Sequence, residues 1–355
     1  MLPYRSCWLA KVLTLKRRRG TMQKRIFANK FNLRTKGVVN LKLATSTGDY
    51  KFYVPSTKEI VENFKGSKFR YINLEQTKVS PEFFSNNDDY KKLAEDWGNA
   101  AKFAGIKYVV SHAPCLHNPV LAAFENHNDE TYQANVRAIR RSIEICHILN
   151  IERIVVHACC SQDFTVDELY KYNKMFYGDI LDLAEKYNIT IMTENWDSHK
   201  YNFSTGKDLS DFIEYINHPL LAACWDTAHG NIDPTAREIG QYENIIAIGG
   251  KLKGLHISDN FGDCHHHSFP FAGIINFDSV MQGLSDVDYD GYFTFEASYT
   301  LLHQNNMPYQ RRAWDYNGKT VTKLLNPSLD LKKKAVDLLY ETGKYILETY
   351  DCFEE

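Results

Sequence analysis

The sequence predicts an α/β fold, a single-domain (β/α)8 barrel, and three observations carry that prediction. Eight short apolar runs recur between residues 38 and 298, stretches of helical periodicity separate them, and no glycine-rich dinucleotide fingerprint follows the first run. An open doubly wound sheet that binds a dinucleotide would carry that fingerprint. Eight strands alternating with helices close instead into a barrel.

The expected strands are "VVNLKLATS" (38–46), "FRYINLEQ" (69–76), "KYVVSHAP" (107–114), "RIVVHACC" (153–160), "ITIMTEN" (189–195), "LAACWDTA" (221–228), "LKGLHISD" (252–259) and "YFTFEAS" (292–298). Between them, "ETYQANVRAIRRSIEICHILN" (130–150) repeats Val136, Ile139, Ile143 and Cys146 at spacings of three or four, which makes one apolar stripe on a helix. A second helix, "TVDELYKYNKMFYGDILDLAEKYN" (165–188), opens on Thr165 and Glu168, the spacing of a capping box. Residues 299–330 form a long irregular segment after the last strand, and loops of that length are commonly lids or disordered.

With 44% hydrophobic residues in 355, the chain can bury a large core, yet no run approaches the roughly 18 to 20 apolar residues of a membrane span. A formal charge of −2 argues against a polyanion as the main partner. The eight cysteines are scattered and form no CxxC pair, so a reducing, cytoplasmic compartment is expected. The opening "MLPYRSCWLAKVLTLKRRRGTM" puts an apolar patch before the basic run Lys16–Arg19, which reverses a secretory signal. Residues 1–21 are therefore expected to be a presequence or mis-start extension, disordered, with Met22 an alternative start and 22–355 the barrel.

Active sites of such barrels lie at the carboxyl ends of the strands. Here strand 3 ends at His112, strand 4 at His157, strand 5 at Glu194, strand 6 at Asp226 followed by His229, strand 7 at His256 and Asp259, and strand 8 at Glu296. Taken singly, a polar residue after an apolar run is the ordinary first solvated residue of a loop. Six successive strands doing so at one rim make a mixed nitrogen and oxygen donor set. Glu194, Asp226 and Glu296 would also repel one another there without a cation. The expected site is a divalent metal, Mn, Co, Mg or Zn, held by Glu194, Asp226, His256 and Glu296. His112 and His157 would border a second position beside Glu194, and His229 would act on the substrate or a third metal.

These segments, "SHAP", "IVVHA", "MTEN", "WDTAHGNI", "LHISDN" and "GYFTFEAS" in order, resemble the xylose isomerase-like TIM barrel superfamily, from about residue 39 to about residue 350. That superfamily includes sugar phosphate isomerases and epimerases and the endonuclease IV group of abasic-site nucleases. The resemblance implies that Glu194, Asp226, His256 and Glu296 are the common metal quartet, and that Glu194 and Glu296 move protons on opposite faces of a ketose. It implies that His112 and His157 match second-metal histidines of the nucleases, and that His229 matches a substrate or third-metal residue.

In the strand-7 loop "NFGDCHHHSFPFAG", two registers stay open. One gives Asp263 and His265 as an Asp-x-His pair; the other, counted back from the turn, gives His265 and His267. His266 fits neither and reads as padding. Phe271 stands where a glycine is usual, and Gly273 keeps the last one.

The leading functional reading is a metal-dependent sugar or sugar phosphate isomerase or epimerase, in which the metal stabilises an enediolate while Glu194 and Glu296 act as acid and base. Trp196, Trp225 and Phe269 could stack on the sugar or simply pack the barrel top. The alternative is an endonuclease IV-like zinc enzyme that cleaves abasic DNA. Against nucleic acid, the rim segments "CLHNPVLAAFENHND" and "CSQDFTVDE" are neutral to acidic, and only "YQRRAW", with Arg311 and Arg312, is basic. Arg311 suits a phosphate on a small sugar equally well, or is a solvated lid charge. A non-catalytic barrel is the third reading. Apolar lid residues Leu301, Leu302 and Met307 could meet a second copy in a homo-oligomer.

Overall fold

The computed structural model describes residues 39–76, 87–114, 127–302 and 313–355. Eight parallel strands follow one another around the sheet: β1 (Leu41–Ser46), β2 (Tyr71–Glu75), β3 (Lys107–His112), β4 (Arg153–Val155), β5 (Thr190–Glu194), β6 (Leu221–Asp226), β7 (Leu252–His256) and β8 (Tyr292–Thr294). β8 returns to β1, with Lys42 opposite Tyr292 and Ala44 opposite Thr294. β7 meets β8 at a bridge between Ile257 and Phe295, where the Ile257 N–H donates to Thr294 O at 2.8 Å. The sheet thus closes into the expected (β/α)8 barrel.

Helices cover the outside because each carries one apolar stripe. On Glu130–Leu149, Val136, Ile139, Ile143 and Cys146 are all buried. Asp129 caps its start by accepting the Thr131 and Tyr132 N–H groups, and left-handed Asn150 ends it. Val166–Tyr187 starts with the expected capping box: the Glu168 N–H donates to Thr165 Oγ1 and the Thr165 N–H to Glu168 Oε2.

Inside the barrel, Ala44, Val110, Val155, Met192 and Cys224 pack as a separate apolar cluster. Strand side chains alternate faces, so the residues two positions later point the same way, one layer nearer the mouth. Those residues are Ser46, His112, His157, Glu194 and Asp226, and Gly254 to His256 and Thr294 to Glu296 repeat the step. Gly254 is a glycine for lack of room: a Cβ would stand 2.7 Å from Met192 Sδ and 3.3 Å from Cys224 Sγ. An apolar plug therefore floors a polar mouth.

Several boundaries differ from expectation. β4 stops at Val155 because helix residue Asn173 takes over the backbone of Cys159, accepting its N–H and donating to its O, each at 2.8 Å. Within the segment 299–330, expected to be irregular, β9 (Trp314–Tyr316) and β10 (Lys319–Val321) form an antiparallel hairpin through Asn317 and Gly318, both at positive φ. A further short strand, β11 (Phe353–Glu354), pairs with β1. Residues 39–355 form one compact unit. The expected extension 1–21, the stretch 22–38, Met307, Arg311 and Arg312 lie outside the described residues. Among the described residues, no helix is long and apolar enough to cross a membrane.

Candidate metal centre and barrel mouth

Glu194, Asp226, His256 and Glu296 meet at the mouth, with one donor atom from each within 4.8 Å of the others. His256 Nδ1 stands between the glutamates, 2.8 Å from Glu194 Oε1 and 3.1 Å from Glu296 Oε2. Asp226 spends Oδ1 on the N–H groups of Ala228 and His229, at 2.6 and 2.8 Å, and so caps the short helix Thr227–Ile232. Its Oδ2 is buried without a hydrogen-bond partner, and so is His256 Nε2.

The charges strain against one another. Burial, reinforced by Glu194 and Glu296, pushes Asp226 up to about 7. Burial also favours the neutral form of Glu194, but His256, His112 and His157 hold its carboxyl well below the usual range. Glu296 is likewise held down against burial, by His256 and His267. Burial disfavours the His256 imidazolium, yet Cys224, Glu194 and Glu296 hold it well above its ordinary value. Three carboxylates around one imidazole, with Asp226 Oδ2 buried and unpartnered among them, form a donor set that fits a divalent cation.

A second group adjoins the first through Glu194 Oε2, which lies 3.1 Å from His157 Nε2 and 3.5 Å from His112 Nε2. The two Nε2 atoms are 3.2 Å apart. His112 Nδ1 donates to Ala113 O at 2.7 Å, which turns Nε2 toward this meeting point. These three residues could hold a second cation.

His229 comes from one helical turn beyond Asp226, and its Nδ1 donates to Asn195 O at 2.7 Å. Burial and the neighbouring His265 push it down to about 4, so the ring stays neutral near pH 7. Of the three consecutive histidines, His265 and His267 face the mouth, 3.2 Å apart, and His265 Nε2 lies 2.7 Å from Asp197 Oδ2. His267 Nδ1 donates to Glu296 O at 2.8 Å. Asp263 is not brought to the mouth: its exposed carboxylate lies 3.2 Å from His266 Nδ1, because the loop turns at Cys264. The register with His265 and His267 is thus the one that points inward, and His266, buried, turns away from the mouth.

Asp259 does not join the site either. Three residues past His256, it falls on the opposite face and accepts N–H groups from Asn260, Phe271, Gly273 and Ile275, strapping down the loop. Phe271 takes φ 72°, the left-handed conformation of the glycine it replaces, and a Cβ on Gly273 would stand 2.2 Å from Asn260 O.

The mouth opens into a cavity of about 880 Å³, lined among others by Trp196, Tyr201 and Tyr299. Trp225 and Phe269 are buried in the core instead, with Trp225 Nε1 donating to Gln241 at 2.8 Å. Sequence reasoning missed Lys51, Glu75 and Asp197, which also line the cavity. Glu75 had a signal, since it ends β2 as Glu194 ends β5; Lys51 and Asp197 come from loops and had none.

The closed parallel barrel and its mixed carboxylate and imidazole mouth define a class of (β/α)8 proteins with a candidate metal centre. The xylose isomerase-like TIM barrel family matches residues 62–314, and the chain belongs to that family. It is 28% identical over 193 residues to an uncharacterized protein of Methanocaldococcus jannaschii, covering 53% of this chain and 64% of that one. It is 26% identical over 126 residues to the ketose 3-epimerase of Arthrobacter globiformis, covering 35% and 40%. The matches therefore span less than two thirds of these relatives' lengths. Among solved structures, the D-allulose 3-epimerase from Methylomonas sp. in complex with D-allulose superposes with a TM-score of 0.63 at 13% identity, over 86% of this chain and 97% of that one.

Proposed function

We propose that the chain is a divalent-metal-dependent isomerase or epimerase of a sugar or sugar phosphate, moving a proton at the carbon next to a carbonyl. The observation that carries this reading is the pair Glu194 and Glu296, brought from β5 and from just past β8 to within 2.8 and 3.1 Å of the same atom, His256 Nδ1. A similar ketose 3-epimerase supports the substrate class.

A divalent cation held by Glu194, Asp226, His256 and Glu296 would polarise neighbouring substrate oxygens and acidify the carbon between them. One glutamate removes the proton as a carboxylate, and the other, after taking up a proton from solvent, delivers that proton to the opposite face. Both are held ionised, which suits whichever acts first as base. Neutral His229, its Nδ1–H committed to Asn195 O, presents Nε2 as an acceptor for a substrate hydroxyl. His265, fixed by Asp197, and His267, fixed by Glu296 O, hold a second hydroxyl. Trp196, half-buried against His157, offers a flat apolar face to the sugar, and Arg311 remains our proposed phosphate contact.

His112, His157 and Glu194 would suit a hydrolase with a second cation. Among the described lining residues, however, Lys51 is the one lysine or arginine, set against Glu75, Asp163, Glu194, Asp197 and Glu296. Such a mouth repels a phosphodiester backbone. The free thiols of the described cysteines support a reducing, cytoplasmic setting.

The test is a panel of ketoses incubated with the full chain loaded with Mn²⁺ or Co²⁺ and followed by NMR. Conversion to an epimer or aldose, stopped by a chelator, is expected. Nicking of an abasic duplex with every ketose unchanged would overturn the reading.

A further inference from the structure

The wall of the mouth beside β1 and β2 carries an ion pair that the proton transfer does not use. Around the ring, β1 and β2 lie across from β5 and β6, which supply Glu194 and Asp226. Lys51, from the loop after β1, donates to Glu75 Oε2 at 3.5 Å, and both residues line the cavity. We propose that Lys51 and Glu75 form a hydroxyl-binding subsite that reads the substrate carbons lying beyond the reacting one. This inference rests on the isomerase or epimerase reading and names the part of the sugar that decides acceptance.

The loop after β1 is shaped around the Glu75 carboxylate. Ser46, the last residue of β1, donates to Glu75 Oε1, and its own Oγ accepts the Gly48 N–H at 2.8 Å. The Glu75 N–H donates to Thr47 Oγ1 at 2.9 Å. A Cβ at position 48 would run into Glu75 Oε1 and stand 2.8 Å from Ser46 Oγ, so Gly48 is what lets the carboxylate in. The Glu75 side chain is 5% exposed and that of Lys51 23%. The acid is therefore the fixed member, and the ammonium is the one that meets an incoming ligand.

Burying an ion pair is a weak way to stabilise a fold, because apolar residues of similar volume often serve as well. On a cavity wall the pair instead offers a ligand a donor and an acceptor side by side. The Glu75 carboxylate holds the Lys51 ammonium protonated against burial, with Tyr299 and Glu296 adding to it. Glu75 also cancels the charge of Lys51, which makes the pair a poor anchor for a phosphate or a sugar acid. Neighbouring hydroxyls match it better: one accepts from the ammonium while the next donates to the carboxylate. The bond within the pair is long, so a hydroxyl can compete for it. Lys51 also lies close enough to Glu296 to feel its charge. A six-carbon ketose with its reacting carbon at Glu296 extends to the pair, and a four-carbon ketose leaves it unfilled.

The test compares metal-loaded full chain as wild type, Lys51→Met and Glu75→Gln. The probes are the six-carbon 2-ketoses of both enantiomeric series and the four-carbon ketose erythrulose, with kcat and KM read by NMR and Kd by calorimetry. On a six-carbon ketose that the wild type converts, each variant should raise KM and Kd about 10- to 100-fold, the loss of one charge-assisted hydrogen bond, with kcat little changed. Erythrulose should bind the wild type more weakly than the six-carbon sugar does, and the variants no worse than the wild type. Both substitutions are close in shape, and circular dichroism with thermal melting confirms the fold. Unchanged KM and Kd on the six-carbon ketose, or an equal loss on erythrulose, would overturn the proposal while leaving the isomerase reading intact. A wild type that neither binds nor converts any ketose would overturn that reading and this inference with it.

Discussion

At the scale of single residues, the mouth depends on parity. His112, His157, Glu194, Asp226, His256 and Glu296 each stand two positions beyond a small or apolar interior residue, so one alternation rule brings all six to one layer. That rule was available in the sequence, and it also explains which nearby residues stay out of the mouth. Trp225 is one residue from Asp226 and Asp259 three from His256, both odd steps, so both face away from the mouth. His229 breaks the rule because a helix begins at Thr227 and returns it at a spacing of three. If Glu194 and Glu296 transfer the proton, Glu194→Gln and Glu296→Gln should each lower kcat by about 10² to 10⁴-fold while the fold persists. Steady-state kinetics on any converted ketose, beside circular dichroism, checks this; a change in KM alone would assign the glutamates to binding.

At the scale of elements, the loop after β7 is organised by one buried carboxylate. Asp259 gathers four N–H groups from residues spread between Asn260 and Ile275, and this lets a phenylalanine occupy the left-handed position at 271. Asp259→Ala should destabilise the protein by about 3 kcal/mol, counting charged hydrogen bonds lost against backbone groups left buried, and urea denaturation measures it. Thr165→Ala, which removes an exposed capping box, should cost only about 1 kcal/mol. The capping box and the Glu130–Leu149 stripe could be read in advance because local spacing determines both. The end of β4 could not, since it depends on Asn173 reaching the Cys159 backbone across the fold. The β9–β10 hairpin had a readable signal in Asn317-Gly318, the preferred pair for a two-residue hairpin turn.

At the scale of the whole molecule, the first loop and the last helix meet through buried charge. Asp49, following β1, is pushed up to about 6 by burial, an effect that Lys332 of the helix Leu329–Thr349 partly offsets. Burial pushes Lys332 down to about 8, and its ammonium donates to Ser298 O and Thr300 O, each at 2.8 Å. The signs follow from linkage. The folded state holds the extra Asp49 proton, so that contribution is full below pH 4 and is lost as pH rises through about 6, roughly 3 kcal/mol in all. The Lys332 contribution is full above about pH 10.5 and is lost as pH falls through about 8. Asp49→Asn should flatten the stability profile between pH 4 and 6, as read from denaturant midpoints. An unchanged slope would contradict the buried-charge account.

The reaction proposed for the mouth is proton transfer between Glu194, Glu296 and a carbon next to a carbonyl. Its most direct test is a metal-loaded incubation with ketoses in D₂O, with the position of any deuterium read by NMR. Deuterium is expected at the carbon adjacent to the carbonyl, and its uptake should be lost when either glutamate becomes glutamine. Turnover that leaves that carbon fully protonated in wild type, with deuterium absent from substrate and product alike, would contradict it.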